Sequence, residues 1–306
     1  MGRGAGFLLS LSLILESSFG FVLRQPPPRW RTWARGLLDD TLASGVSVDE
    51  AAPVCALAED MLEVAWSEPR ATMFLEPVSV YGLSQELGRL SDLCVHSYGG
   101  YPQAERQRLV LSRASELTDD EVASIAQVSV VSILGDFLFQ PATERDFAEA
   151  LELSLPEEER GLYIGDIIVL GERGAQAIVG LEVADALASN VKEVNGVSVA
   201  VERQGVDALR MRPPSVKEMQ TVEASVRVDA VASAGLGLSR SKVAAFAKAK
   251  DPSKSDLLVN WRPVSSASTK VKQGDVISIR GRGRLTVDSV ETNAKGKFRV
   301  KMTKYT

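Results

Sequence analysis

Gly274-Asp-Val-Ile-Ser-Ile-Arg-Gly-Arg-Gly-Arg284 leaves a turn, runs as a strand and ends in arginines spaced by glycines. Within Asp275–Arg280, Ile277 and Ile279 face one way while Ser278 and Arg280 face the other, the alternation of a half-buried strand. Arg280, Arg282 and Arg284 then alternate with glycine. Such spacing lets the backbone approach a polyanion while planar guanidinium forks grip phosphates. The neighbouring segments extend this pattern. Leu257–Trp261 reads as a strand, Leu285–Val290 as the next and Phe298–Met302 as the last, with Phe298, Val300 and Met302 inward and Arg299 and Lys301 outward. Lys270 and Lys272 lead into the turn at Gly274, and Lys295 and Lys297 belong to a basic turn over Asn293–Lys297. Upstream, Thr221–Ala234 reads as a short helix stopped by Gly235 and Gly237. Ser239 then caps a second helix over Arg240–Lys250. Its first turn holds Arg240 and Lys242, two cations at the positive helix end, a cost of ~0.3–1 kcal/mol each. The cost becomes a gain when a phosphate sits on the free N–H groups there.

Charge separates the chain into two parts. It has 306 residues and a formal net charge of −5, room for two domains and a targeting segment. From Thr221 on it carries 17 of its 35 basic and 7 of its 40 acidic residues, leaving 18 basic and 33 acidic before that point. The C-terminal part is therefore +10 and the rest −15. A split of this kind points to a polyanion-binding module at one end; a solvated lysine-rich surface is the plainer alternative. The cysteines, Cys55 and Cys94, make no framework and no CxxC motif, and read as reduced thiols. His96 is the single histidine, a loop or packing residue, which removes His-based metal sites. No cofactor and no metal are expected.

The N-terminus reads as a leader. One arginine, Arg3, precedes the nine-residue apolar run Phe7–Leu15, and small residues follow at Ser17–Ser18. That run is too short to cross a bilayer, which takes about 20 residues. Phe21–Gly36 holds Arg24, Arg29, Arg31 and Arg35 with no acid, the composition of a transit peptide. The layout resembles the bipartite presequence of algae with secondary plastids, and it predicts delivery to the plastid (chloroplast stroma) and no membrane association once removed. A secreted protein is the alternative, but there is no disulfide set. Residues 1–45 are set aside as this disordered presequence.

Residues 46–120 read as a mostly helical region: a helix over Val48–Ser67, a mixed stretch Phe74–Asp92 with a short helix at Gln85–Leu90, a turn at Tyr98–Pro102, and a helix over Ala104–Arg113. Residues 121–205 then alternate. Ala126–Leu134 is a strand, Thr143–Leu153 a helix, Asp166–Leu170 and Ala175–Val179 are strands, Leu181–Asn190 is a helix and Gly196–Glu202 a strand. This β-α-β-β-α-β order predicts an α+β, ferredoxin-like (RRM-like) domain, although its strands lack the paired aromatics of a base-stacking sheet. Gln204–Gln220 carries Pro213–Pro214; residues 206–220 are taken as a linker and 221–306 as the basic module.

Ser225-Val-Arg-Val-Asp229, Leu238-Ser-Arg-Ser-Lys242, Val259-Asn-Trp261 and Gly274–Arg284 together resemble the small S-four-type RNA-binding domain, named after a ribosomal protein. Gly99-Gly-Tyr-Pro-Gln-Ala-Glu-Arg106 and Ile164-Gly-Asp-Ile167 are similar to the bacterial YlmH-type proteins and their plastid relatives, the photosystem II S-four-domain proteins. The resemblance spans Val48 to Tyr305. It implies a ferredoxin-like domain ahead of the RNA-binding domain, and binding to the large ribosomal subunit at stalled or obstructed ribosomes. It places Arg227, Ser239, Arg240, Lys242, Asn260 and Arg280–Arg284 on the RNA face. Ser241, Trp261, Lys270, Lys272, Lys295, Lys297 and Arg299 complete the expected RNA-binding set. Lys250–Asp256 is longer than the family's usual turn and bears on where Asn260 and Trp261 point.

Domains of this type also accompany enzymes. A pseudouridine synthase needs an Asp in a Gly-Arg-Leu-Asp motif, but here Gly283-Arg284-Leu285 is followed by Thr286. A tyrosyl-tRNA synthetase needs two histidines in one motif, and the chain has one. Lys301-Met-Thr-Lys304 is similar to a synthetase loop but reads as the end of a strand. No catalytic residue is assigned. The expectation is a monomeric, non-catalytic protein that binds structured RNA (rRNA or tRNA) on the large subunit and assists translation or ribosome quality control, with consequences for photosystem II biogenesis. The alternative is an RNA-modifying, pseudouridine-synthase-like enzyme that uses the S-four-type domain only for docking, for which Asp136 and Asp166 are the carboxylates to follow; both also read as turn residues at strand ends.

Overall fold

Leu109, Val110 and Leu111 are fully buried, with Leu109 and Leu111 in one apolar cluster and Val110 in another. A segment buried on both faces carries no alternation, so helix and strand look alike in its sequence. The computed structural model resolves the ambiguity: Ala104–Arg113, expected to be helical, is a loop followed by a strand. The structure describes residues 36–305 apart from 43–45, 64–67, 114–115, 211–215, 249–254, 280–281 and 295. Most of the expected presequence lies outside these residues, but a late part of it, expected to be disordered, is ordered. Residues 36–42 form a helix, α1, whose Leu37 and Thr41 are buried.

The chain divides into two units between residues 211 and 212. The first unit opens with α1, α2 (Val48–Glu63), β1 (Arg70–Leu75), α3 (Pro77–Leu87), β2 (Leu93–Tyr98) and β3 (Gln107–Arg113). The strands pair antiparallel in the order β1-β3-β2. The helix expected at Gln85–Leu90 is the end of α3, and His96, expected as a loop or packing residue, lies in β2. Met61, Leu75, Leu83, Leu87, Leu109 and Leu111 fill one side of this sheet. On the other side Val110 meets Val122 and Ala126 of α4 (Asp119–Ala126), a helix started by a Thr118/Glu121 capping box. Ala126, expected to begin a strand, therefore ends a helix, and the strand starts after Gln127, which turns the chain at φ 48.

Next come β4 (Val128–Leu134), α5 (Glu144–Leu153), β5 (Ile164–Val169), β6 (Gly174–Gly180), α6 (Leu181–Asn190), β7 (Glu193–Val194), β8 (Val197–Ser198) and β9 (Ala200–Gln204). Four of them form an antiparallel sheet in the order β5-β6-β4-β9. Val131, Ile133, Ala177 and Val179 face α5 and α6, with Phe137 edge-on to Phe147 at 5.2 Å. Val130 and Ile178 face the other way and receive Phe74 from β1. Two glycines make the approaches possible. A Cβ on Gly165 would meet the Phe74 ring at 2.7 Å, and one on Gly174 (φ 117) would sit 1.9 Å from the Ile133 carbonyl oxygen.

The two sheets of this unit are fastened by charge. Asp166 accepts hydrogen bonds from the Tyr101 hydroxyl (2.7 Å) and from the backbone N–H of Glu105 (2.7 Å) and Arg106 (2.9 Å). The Gly99–Arg106 and Ile164–Ile167 motifs are thus two halves of one joint. Arg108 adds a second: its guanidinium donates to both Glu182 carboxylate oxygens (3.1 and 2.8 Å) and to the Thr72 carbonyl.

The second unit contains β10 (Val216–Glu223), α7 (Val228–Leu236), α8 (Arg240–Phe246), β11 (Leu257–Val259), β12 (Arg262–Pro263), β13 (Val276–Ile279), β14 (Gly283–Thr292) and β15 (Phe298–Tyr305). All strands join one antiparallel sheet, ordered β10-β15-β14-β13-β11-β12. Val228, Val231 and Leu236 of α7 and Val243 of α8 pack on Ile277, Ile279, Leu285, Val287, Val300 and Met302. Thr221–Ala234 is not one helix: residues to Glu223 extend β10, which also takes in the end of the expected linker, and the helix starts at Val228. Strand β10 was hidden because it lies at a sheet edge and has no fully buried residue. At the opposite edge, β12 is two residues long and ends in exposed Pro263.

Candidate nucleic-acid interface

Asp275 organises one end of the basic unit. It is 4% exposed, and its carboxylate accepts from the Asn260 side-chain amide (2.9 Å) and the Lys272 backbone N–H (2.8 Å). The Asn260 amide oxygen accepts from Val276 N–H (2.9 Å). Asn260, expected on the RNA face, therefore spends both ends of its side chain fastening the β11–β12 hairpin. Its loop is Asn260–Trp261, at φ 51 and 65, the positive pair that a tight two-residue hairpin requires.

Beside this hub, the Arg284 guanidinium carbon lies 4.9 Å from the centre of the Trp261 ring. Leu285 and Val287 point into the core, so Arg284 is on the outward face of β14, opposite Ser278 in register. Arg282 is exposed in the preceding turn and donates its backbone N–H to Ile279 (2.9 Å). Trp261, Lys272 and Arg284 thus gather at the β11–β12 hairpin, while Arg282 lies in the β13–β14 turn beyond Ile279. Arg280 and Lys295 lie outside the described residues, as does most of the Lys250–Asp256 stretch.

The remaining expected residues are placed elsewhere. Arg227 precedes α7 and bridges to Lys270 in the backbone, but its guanidinium donates to both oxygens of Asp229 (3.0 and 2.9 Å). Ser239 caps α8 by accepting from Lys242 N–H (3.3 Å), and its hydroxyl lies 3.0 Å from that of Ser241. The two cations of that first turn differ: Arg240 is paired with Glu223, whereas Lys242 is exposed. Helix α8 is seven residues long and stops at Phe246, short of the expected Lys250. Lys297 sits in the β14–β15 turn and Arg299 lies 3.9 Å from Glu291. Strand rise puts this turn about 26 Å from Arg284. The expected set is therefore two groups at opposite ends of the β14–β15 hairpin, with Arg227 and Lys270 near the start of α7.

The acids of this unit are largely committed. Glu223 and Asp229 are ion-paired, Glu291 faces Arg299, Asp275 is inside the hub, and Asp288 accepts from the Thr303 hydroxyl (2.8 Å). Among the described residues, Lys242, Lys270, Lys272, Arg282, Lys297 and Lys301 are exposed with no ion pair. Asp275 and Lys301 are the additions to the sequence reading. The strand alternation had already turned Lys301 outward; for Asp275 the only signal was a Gly-Asp turn.

The candidate carboxylates of the first unit have structural partners. Asp166 is saturated by the joint described above, and Asp136 accepts from Leu138 N–H (3.2 Å) in its turn. His96 Nε2 is buried without a hydrogen-bond partner. Burial pushes the Cys55 thiol up to about 12, away from reactivity at neutral pH. Among the described residues, no group of three or more His, Cys, Asp or Glu could hold a metal ion, and no helix is long and apolar enough to cross a membrane.

Residues 50–116 match a protein-family model described as YlmH, N-terminal. That span runs from α2 through β3 and contains the Gly99–Arg106 half of the joint. The chain is 29% identical over 233 residues to ribosome-associated protein quality control protein P2 of Bacillus subtilis (strain 168), covering 76% of this chain and 85% of that protein. Among solved structures it is similar to cell division protein ylmH from Streptococcus pneumoniae, at 18% identity and a TM-score of 0.39, over 61% of this chain and 98% of that one.

Proposed function

We propose that this chain, which belongs with the YlmH-like proteins, is a ribosome-associated RNA-binding factor with no chemistry of its own. The observation that carries the reading is the commitment of acids in the second unit. With Glu223, Asp229, Asp275 and Glu291 occupied by the unit's own side chains, exposed lysines and arginines are left for a polyanion. A net charge of +10 from Thr221 on attracts phosphate from any direction, and the Trp261–Arg284 end gives it a place to dock. In this reading the second unit is an S-four-type domain, and its target is rRNA or tRNA of the large subunit. The name of the Bacillus subtilis relative supports a role in translation or ribosome quality control.

The first unit supplies the frame. The sheet order β5-β6-β4-β9, with two helices on one face, supports a ferredoxin-like module over 121–205. Its saturated Asp166 and turn-bound Asp136 count against the RNA-modifying alternative. The leader composition supports delivery to the plastid stroma, where impaired translation would surface as a photosystem II defect. The protein acts there as a monomer.

Crosslinking and sequencing of RNA bound to the tagged protein in isolated plastids tests this, read against an Arg282→Ala/Arg284→Ala variant. Reads concentrated on large-subunit rRNA or tRNA and lost in the variant are expected. Reads on a few messenger RNAs would make it a transcript-specific regulator, and no enrichment would end the RNA-binding reading.

A further inference from the structure

Trp261 stands where a tight hairpin favours glycine. In a two-residue loop with both φ positive, Asn-Gly is the preferred pair, because a Cβ there crowds the backbone. Here the pair is Asn260 at φ 51 and Trp261 at φ 65. A bulky side chain in that region is an outlier that survives only when its surroundings hold it. The surroundings do: Asn260 is bonded to Asp275 and Val276, and Lys272 to Asp275. The apolar core does not use the indole. Leu257, Val259, Ile277 and Leu285 pack in the unit's cluster, and Trp261 is not part of it.

What the indole does have is a cation on its ring, Arg284 at 4.9 Å, while exposed Lys272 donates its backbone N–H to the same Asp275 that holds Asn260. A rigid π face with a cation on it fits a nucleobase with its phosphates. A base inside a duplex is already stacked and paired and offers no face, whereas unpaired bases in loops and single strands do. We propose that Trp261 is a stacking platform for an unpaired nucleobase, on the ring face away from Arg284, with the Arg284 cation and exposed Lys272 toward its phosphates. The unit then selects loop or single-stranded RNA over duplex. This rests on the RNA-binding reading given above and adds the class of RNA.

Fluorescence anisotropy on the full chain tests it, with a labelled stem-loop RNA and a fully paired duplex of the same length. The parent binds the stem-loop more tightly. Trp261→Gly loses about tenfold on the stem-loop alone, since one stacked base is worth roughly that factor or more. Its melting temperature is unchanged or higher, because glycine relaxes the backbone there. Trp261→Phe keeps most of the stem-loop affinity. Equal stem-loop binding by Trp261→Gly would overturn the proposal. So would a lowered melting temperature with equal losses on both RNAs, which marks a structural support. A parent that binds both RNAs equally, with steep salt dependence, sinks the stacking platform and leaves RNA binding standing; a parent that binds neither removes both.

Discussion

Arg108 and Arg284 each hold a guanidinium near an aromatic ring, at 5.9 Å from the centre of Phe74 and 4.9 Å from that of Trp261. Their surroundings differ. Arg108 is 5% exposed, reaches a carboxylate and a carbonyl, and ties the first sheet to helix α6. Arg284 lies on an outward sheet face beside a buried aspartate already occupied by Asn260 and Lys272. The same chemical pair is a joint where it is buried against a carboxylate, and in the second unit it lies on an outward sheet face. The first unit uses its charges to hold its sheets together. The second pairs Asp229, Glu223 and Glu291 with its own arginines and leaves Lys242, Lys270, Lys272 and Lys301 exposed.

If this contrast is right, substitutions in the first unit should cost stability and spare RNA binding, and those in the second should do the reverse. The largest effect belongs to Arg108→Met. It strands the Glu182 carboxylate and the Thr72 carbonyl, and should cost about 3 kcal/mol in urea unfolding. Asp166→Ala removes the acceptor for three donors and should cost about 2 kcal/mol, read in the same titration. RNA affinity lost in step with stability in either variant would show that the units do not divide the work. Arg282→Ala/Arg284→Ala should leave the melting temperature in place, weaken RNA binding by about tenfold, and reduce the salt slope by about 2. An unchanged slope would move the docking surface to the Lys297 end.

The smallest effect is one of pH. Burial, followed by repulsion from Glu63, pushes the Glu59 carboxyl from 4.5 to about 7. A carboxyl whose pKa is raised on folding favours the folded state at low pH. That contribution is lost as pH rises from about 4.5 to about 7. Glu59→Gln should therefore raise the melting temperature by a few degrees at pH 8 and leave it alone at pH 5. An equal shift at both values would mean that packing, not ionisation, sets the effect.

Legibility in the sequence followed burial. Helix α6 is found over Leu181–Asn190, where it was expected, because one face is buried and the other solvated. Strand β3 is covered on both faces, so its periodicity vanishes, and β10 touches the core only through half-buried Met219, too little apolar signal to mark a strand. The basic character of the second unit was plain from composition. The partners were not: the Glu223–Arg240 and Asp229–Arg227 pairs, and Asn260 in the hub, depend on contacts that single-residue types do not announce. Resemblance put Asn260 on the RNA face, whereas in the fold it positions its neighbour Trp261.

The short strand β12 has a consequence for solubility. A sheet edge with open N–H groups recruits other strands, and a crowded compartment supplies many. Pro263 has no N–H to offer, and the strand it ends is two residues long. At the other edge, β10 carries Lys217, Glu218 and Glu223. The unit can therefore keep a six-stranded sheet in solution without inviting self-association through its rims.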